Sequence, residues 1–151
     1  MACLIIVTGM IKIPSPLPGS EFQMSAPIAV AIAVVYGFWR YIAAGLIASS
    51  LLLMLGLHTI INVEVSMIFR MVAGGIIALF GHSVPVILLA GPAGTLAARI
   101  GLAETLQVSA WPLIIGAIPG MVFTILTVIP LIRILKRADS ISSYHKKENA
   151  A

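Results

Sequence analysis

Arg70 is the most informative ionisable residue in this sequence, because it lies within the apolar segment 65–80. An unpaired charge inside a bilayer costs at least about 3 kcal/mol, so an arginine there is expected to face a polar cavity or a carboxylate. One interpretation is that Arg70 binds a ligand. The other, of equal weight, is that it only orients its helix, through an ion pair or by extending to the membrane surface.

Polar residues also gather between the apolar runs. His58, Asn62 and Glu64 lie between two of them, and a six-span topology brings them to the same membrane face as residues 21–23. Polar groups that converge beside aromatic side chains are typical of small-molecule sites. A solvated loop beside an interfacial aromatic belt is the alternative. The predicted substrate site consists of these polar and aromatic residues: Glu21, Phe22, Gln23, His58, Asn62, Glu64, Arg70 and Trp111.

Motifs for catalysis are absent from the sequence. It contains no phosphate-binding Gly-Lys-Ser loop, no Gly-x-Ser-x-Gly and no His-Glu-x-x-His. It has only three histidines, five carboxylates and one cysteine, so we expect no catalytic residues, no metal and no cofactor. Any ATP-driven role would need a motor on another chain.

The composition is that of a membrane protein. The chain is 60% hydrophobic and 9% charged, with a mean hydropathy of +1.13, whereas soluble domains are about a quarter charged. Its apolar stretches are small or apolar on every face, which favours helices over a barrel. We therefore predict an all-α, polytopic membrane helix bundle of about six transmembrane helices, with the alternative that the first is truncated. The apolar stretches are 1–13, 26–38, 40–57, 65–80, 83–98 and 111–135.

Charge distribution predicts the topology. Basic residues concentrate after position 132, so residues 1–137 are predicted to form the transmembrane bundle and 138–151 a polar tail on the cytoplasmic side of the cell membrane. Six crossings then place the connections 14–25, 58–64 and 99–110 outside. The short stretch 26–38 fits either a helix that meets its successor at a tight turn or a partly re-entrant segment.

Several motifs resemble those of one transporter family. They are Lys-Ile-Pro-Ser-Pro-Leu-Pro-Gly at 12–19, Arg-Tyr-Ile-Ala-Ala-Gly at 40–45, Arg-Met-Val-Ala-Gly-Gly at 70–75, Leu-Ala-Gly-Pro-Ala-Gly at 89–94 and Trp-Pro-Leu-Ile-Ile-Gly-Ala-Ile-Pro-Gly at 111–120. Their order, together with the stretch 25–37, resembles that of the S components, the substrate-binding membrane subunits of energy-coupling factor (ECF) vitamin transporters.

This resemblance implies a six-helix protein that binds a vitamin, vitamin precursor or other small nutrient outside the cell. It implies ligand contacts from the three outer connections, and partners in the form of a transmembrane coupling subunit and two cytoplasmic ATPases. The family's Ala-x-x-x-Ala motif in helix one is not matched here, since Ala2 is followed four residues later by Ile6.

Biotin-like, thiamine-precursor-like and amino-acid-like ligands all fit the sequence. A small polar or zwitterionic compound, with an aromatic part stacked on Trp111, would suit the nearby ionisable residues, which are Glu21, Glu64, Glu104, Arg70 and Arg99. Two other functions stay open. One is a membrane scaffold or regulatory protein whose small residues serve oligomerisation. The other is a small stand-alone secondary carrier.

Overall fold

The described part of the chain forms a short hairpin followed by five helices. A computed structural model describes residues 12–14, 21–23 and 25–148, with side chains from 25 to 141. The elements in chain order are β1 (Lys12–Pro14), β2 (Glu21–Gln23), α1 (Ser25–Tyr36), α2 (Phe38–Met54), α3 (Ile60–Phe80), α4 (Val84–Leu106) and α5 (Ala110–Glu148). Most of the predicted first span, 1–13, lies outside the described residues.

The prediction of a helical membrane bundle is confirmed. Among the residues that the structure describes, three helices are long and apolar enough to cross a bilayer: α3, α4 and the Ala110–Ile141 part of α5. Large apolar side chains project from them, including Leu79, Phe80 and Leu126. Such a surface is stable in lipid and unfavourable in water. The helices α1 and α2 are also apolar but have only 12 and 17 residues, fewer than the roughly 20 that a perpendicular span requires.

Helix α1 lies at the centre of the bundle. Residues 30–33 are at most 1% exposed, and α1 packs against each of the other four helices. Its alternating alanine and β-branched residues are apolar on every face, which is the pattern of a fully buried helix. At Gly37 the chain adopts a φ of +84°, which glycine tolerates best, and α2 begins one residue later. Two short helices therefore meet at a tight turn.

Helices α3 and α4 form an antiparallel pair. Gly94 packs on Phe69 and Ala73, whereas Gly101, further along α4, packs on Ile68. Their shared end carries the 55–59 and 107–109 turns, and residue Ser25 at the start of α1 faces the same cavity as Leu106. At the opposite end, Tyr36 lies close to Asp139, so the end of α1 and the C-terminal part of α5 are neighbours.

Two predicted outer connections are mostly helical, so this part of the prediction is wrong. Thr59 caps α3, its Oγ1 accepting from the Asn62 N–H at 3.3 Å, and the helix begins at Ile60 within the expected 58–64 loop. Helix α4 continues to Leu106 through most of the expected 99–110 loop, because Leu102 and Ala103 are buried in the bundle. The polar tail is also helical to Glu148.

Candidate functional site

A cavity of about 340 Å³ lies between α1, α3, α4 and α5. Its volume is near the lower end of the roughly 300–1,000 Å³ common for small-molecule sites. Its walls are mainly apolar, from residues such as Ile61, Val65, Phe69 and Leu102, and from glycines of α5. The polar lining residues are Ser25, Asn62, Ser66, Arg70, Thr95 and Arg99.

Arg70 is buried in the wall of this cavity. Only 7% of the residue is exposed. Its Nη1 donates to Ser49 Oγ on α2 at 2.7 Å and to Ser66 Oγ, one turn earlier on α3, at 3.1 Å. The Ser66 hydroxyl in turn donates to the Val63 carbonyl at 2.9 Å. These partners orient the guanidinium but carry no charge, so they do not neutralise it.

Two residues of α2 complete the surroundings of Arg70. Gly45 lies directly under the arginine side chain, where a Cβ would stand 2.5 Å from Nε. The Tyr41 hydroxyl is fully buried beside the guanidinium. Helix α2 thus provides a backbone groove and polar groups that fix one side of the arginine, while the cavity lies on another side.

Arg99 is the second cation of the cavity. It lies in α4, is partly buried, and forms neither a hydrogen bond nor an ion pair with another residue of the described part of the chain. No Asp or Glu of the described residues lines the cavity. The lining therefore carries two positive charges within apolar walls, an arrangement that attracts anions.

The structure places some of the predicted site residues at the cavity and others away from it. Arg70 and Asn62 line the cavity together. Glu64 does not: its Oε1 accepts a hydrogen bond from Thr105 Oγ1 at 2.6 Å, at the exposed junction of α3 and α4. Trp111 is 73% exposed, and His58 lies in the turn after α2, so neither lines the cavity.

Glu21, Phe22 and Gln23 form strand β2, which pairs antiparallel with β1 in the register Ile13 opposite Phe22. The strand lies two residues before α1 and contacts α5. Their backbone is thus near the end of the bundle where Ser25 lines the cavity. Their side chains lie outside the described part of the structure, so their place in the site stays a prediction.

Four polar lining residues are absent from the predicted site: Arg99, Ser66, Thr95 and Ser25, the last residue of the expected outer connection 14–25. Arg99 belongs to an expected outer connection because its charge ends an apolar run, yet it is helical and faces inward. Ser66 and Thr95 are isolated hydroxyls in apolar segments. For Ser66 the sequence does contain an indication of its position, because Ser66 lies four residues before Arg70 and hence on the same helix face.

These features define a helical membrane protein with a buried cavity that two arginines line. No protein-family profile matches the chain, and no solved structure matches it. It is 60% identical over 135 residues to Protein BioX from Lysinibacillus sphaericus, an alignment that covers 89% of this chain and 81% of that protein. The chain belongs to the same family as Protein BioX.

Proposed function

We propose that this protein is the substrate-binding membrane subunit of an ECF-type importer and that it binds a biotin-related nutrient. The name of its relative, Protein BioX, points to a biotin-related role. The resemblance to S components supplies the transport mechanism: binding outside, reorientation of the bundle, and release inside. The chain itself performs no catalysis, and ATP hydrolysis belongs to two cytoplasmic partner subunits joined through a membrane coupling subunit.

The cavity around Arg70 is the observation that carries this proposal. A scaffold function does not explain a 340 Å³ cavity lined by a buried cation, because close packing of small residues is enough to hold helices together in lipid. A transported compound explains both features. Its carboxylate pairs with the guanidinium, and its hydrocarbon part fills the apolar walls.

The arrangement of the helices supports a binding site that opens to the outside. Ser25, Asn62 and Leu106 line the cavity at the end opposite to the Tyr36 and Asp139 pair. With the basic C-terminal region in the cytoplasm, this end faces outside. The paired strands β1 and β2 precede α1 at the same end, and β2 contacts α5.

The direct test is to identify what the protein carries. The protein is expressed in rich medium, purified in detergent and denatured, and the released compounds are analysed by mass spectrometry. We expect a stoichiometric amount of biotin or a biotin precursor. Repeated absence of any small molecule from correctly folded protein would favour the scaffold.

Variants then connect the ligand to the cavity. Arg70→Ala should retain much less compound, while Arg40→Ala, at an exposed position of α2, should retain the normal amount. Uptake in biotin-requiring cells tests the importer: it should require the coupling subunit and the ATPases. Uptake that persists without them would identify a stand-alone carrier.

A further inference from the structure

The charges that line the cavity indicate the chemical class of its ligand, which the proposed function leaves open. Arg70 and Arg99 are its only charged lining residues within the described chain. The hydrogen bonds of Arg70 go to the neutral Ser49 and Ser66, and Arg99 pairs with no described residue. Within the described side chains, neither cation has a carboxylate partner, and an uncompensated charge in a low-dielectric wall is costly.

The two arginines also stand at the same depth. Across the antiparallel pair of α3 and α4, Ile68 packs on Gly101, and Glu64 bonds to Thr105. Continuing this register places position 70 opposite position 99. Packed helix axes are roughly 8–10 Å apart, so the two side chains start from facing positions, and both line the one cavity. Like charges that share a low-dielectric cavity repel each other.

A singly charged ligand would neutralise only one of these cations. A ligand with two anionic groups would pair with both, and charge-assisted hydrogen bonds to guanidinium groups are among the strongest in proteins. The wall residues Val65, Phe69 and Leu102 favour a ligand whose anionic groups are joined by a hydrocarbon part. Inorganic phosphate and sulfate have no such part.

Building on the proposed function of the cavity, we propose that its ligand is an aliphatic dicarboxylate. One carboxylate pairs with Arg70, which Ser49 and Ser66 hold in place, and the other with Arg99. The hydrocarbon chain lies against the apolar walls. Asn62, on the same lining, donates to whichever carboxylate oxygen the arginines leave unsatisfied.

The experiment compares ligands that differ only in charge. Purified full-length protein in lipid nanodiscs is titrated calorimetrically at neutral pH with adipate and suberate, and with the monomethyl ester of each. We expect each diacid to bind at least about tenfold more tightly than its monoester, the factor that one lost charge-assisted hydrogen bond produces. Equal affinity of diacid and monoester would overturn the proposal without any need for a variant.

Arg99→Gln tests the assignment of the second carboxylate. It should reduce diacid affinity to that of the monoester, whereas Arg40→Gln, an exposed arginine outside the cavity, should leave the diacid preference intact. A preference that survives Arg99→Gln contradicts the proposal. If biotin binds and the diacids do not, the dicarboxylate inference fails and the cavity keeps its proposed function; if none binds and no compound copurifies, both fail.

Discussion

The side chain of Arg70 on α3 crosses α2 directly over Gly45. A methyl group at position 45 would stand 2.5 Å from the arginine Nε, 2.6 Å from Cδ and 2.9 Å from Cζ. Beyond this crossing, Nη1 reaches Ser49, one helical turn further along α2. The missing side chain at Gly45 therefore lets the arginine approach α2 closely enough to be held in a defined orientation.

Gly45→Ala should impair ligand binding without replacing any group that contacts the ligand. The added methyl forces the Arg70 side chain away from Ser49, and we expect ligand retention to fall by about tenfold, the effect of one lost hydrogen bond to a charged group. The measurement is calorimetric affinity, or the amount of compound that copurifies. Gly75→Ala on α3 is the matched control, because nothing lies within 4 Å of its added Cβ. Equal retention in the two variants would show that Arg70 does not need this groove.

Ser49→Ala should lower the stability of the protein measured without added ligand. The variant leaves a buried guanidinium with one fewer acceptor, and such a loss costs about 1–3 kcal/mol. Ser50 is the control, since it neighbours Ser49 on α2 but is exposed, whereas Ser49 is only 1% exposed. Thermal unfolding in detergent should show a lower Tm for Ser49→Ala than for Ser50→Ala. The same Tm for both would mean that another group satisfies Arg70.

Gly94→Ala should weaken the packing of α3 against α4. An added Cβ would stand 2.9 Å from the Ala73 Cβ and 3.1 Å from the Phe69 carbonyl oxygen, and a backbone atom cannot move aside alone. The two helices must separate, and overpacking of this kind costs about 1–3 kcal/mol. We expect a Tm several degrees below that of Gly75→Ala. An unchanged Tm would contradict the close approach of the two helices.

Glu64→Gln should leave ligand affinity within about twofold of the original, because this side chain bonds to Thr105 at the exposed end of the pair and does not line the cavity. Asn62→Ala, which does remove a lining group, should lower affinity more. Competition binding with a labelled ligand measures both. A large loss from Glu64→Gln together with none from Asn62→Ala would restore Glu64 as a ligand contact.

Thiol labelling tests which ends of the helices share a membrane face. In a Cys3→Ser background, cysteines at His58 and Val108 should react with an impermeant reagent added to intact cells. A cysteine at His82, in the turn at the other end of α3 and α4, should react only after lysis. Labelling of positions 58 and 108 from opposite sides would exclude the antiparallel pair as described.

The sequence predicted the class of fold well because composition alone decides it. Long apolar runs with few charges can only be stable in lipid, and three of them are the observed long helices. The boundaries were less predictable. In the sequence, the charge of Arg99 marks the end of an apolar run. In the structure, Arg99 lines a cavity within the bundle, so the helix continues past it for another two turns.

The candidate site was predictable only in part. Arg70 could be identified because a charge in an apolar helix must be solvated by something. Its partners Ser49 and Gly45 lie on a different helix, and no periodicity within one segment reveals which residues of two helices touch. Glu64 and Trp111 are polar or aromatic and lie at the ends of apolar segments, but neither lines the cavity.

The burial of α1 on all sides constrains how the protein is assembled in the membrane. This helix is too short to span the bilayer comfortably alone, and the helix it packs against most extensively, α5, is synthesised last. Its stable position therefore does not exist until translation of the other four is complete. During synthesis, α1 must therefore stay at the membrane interface or in the insertion machinery until α5 has been inserted and packs against it.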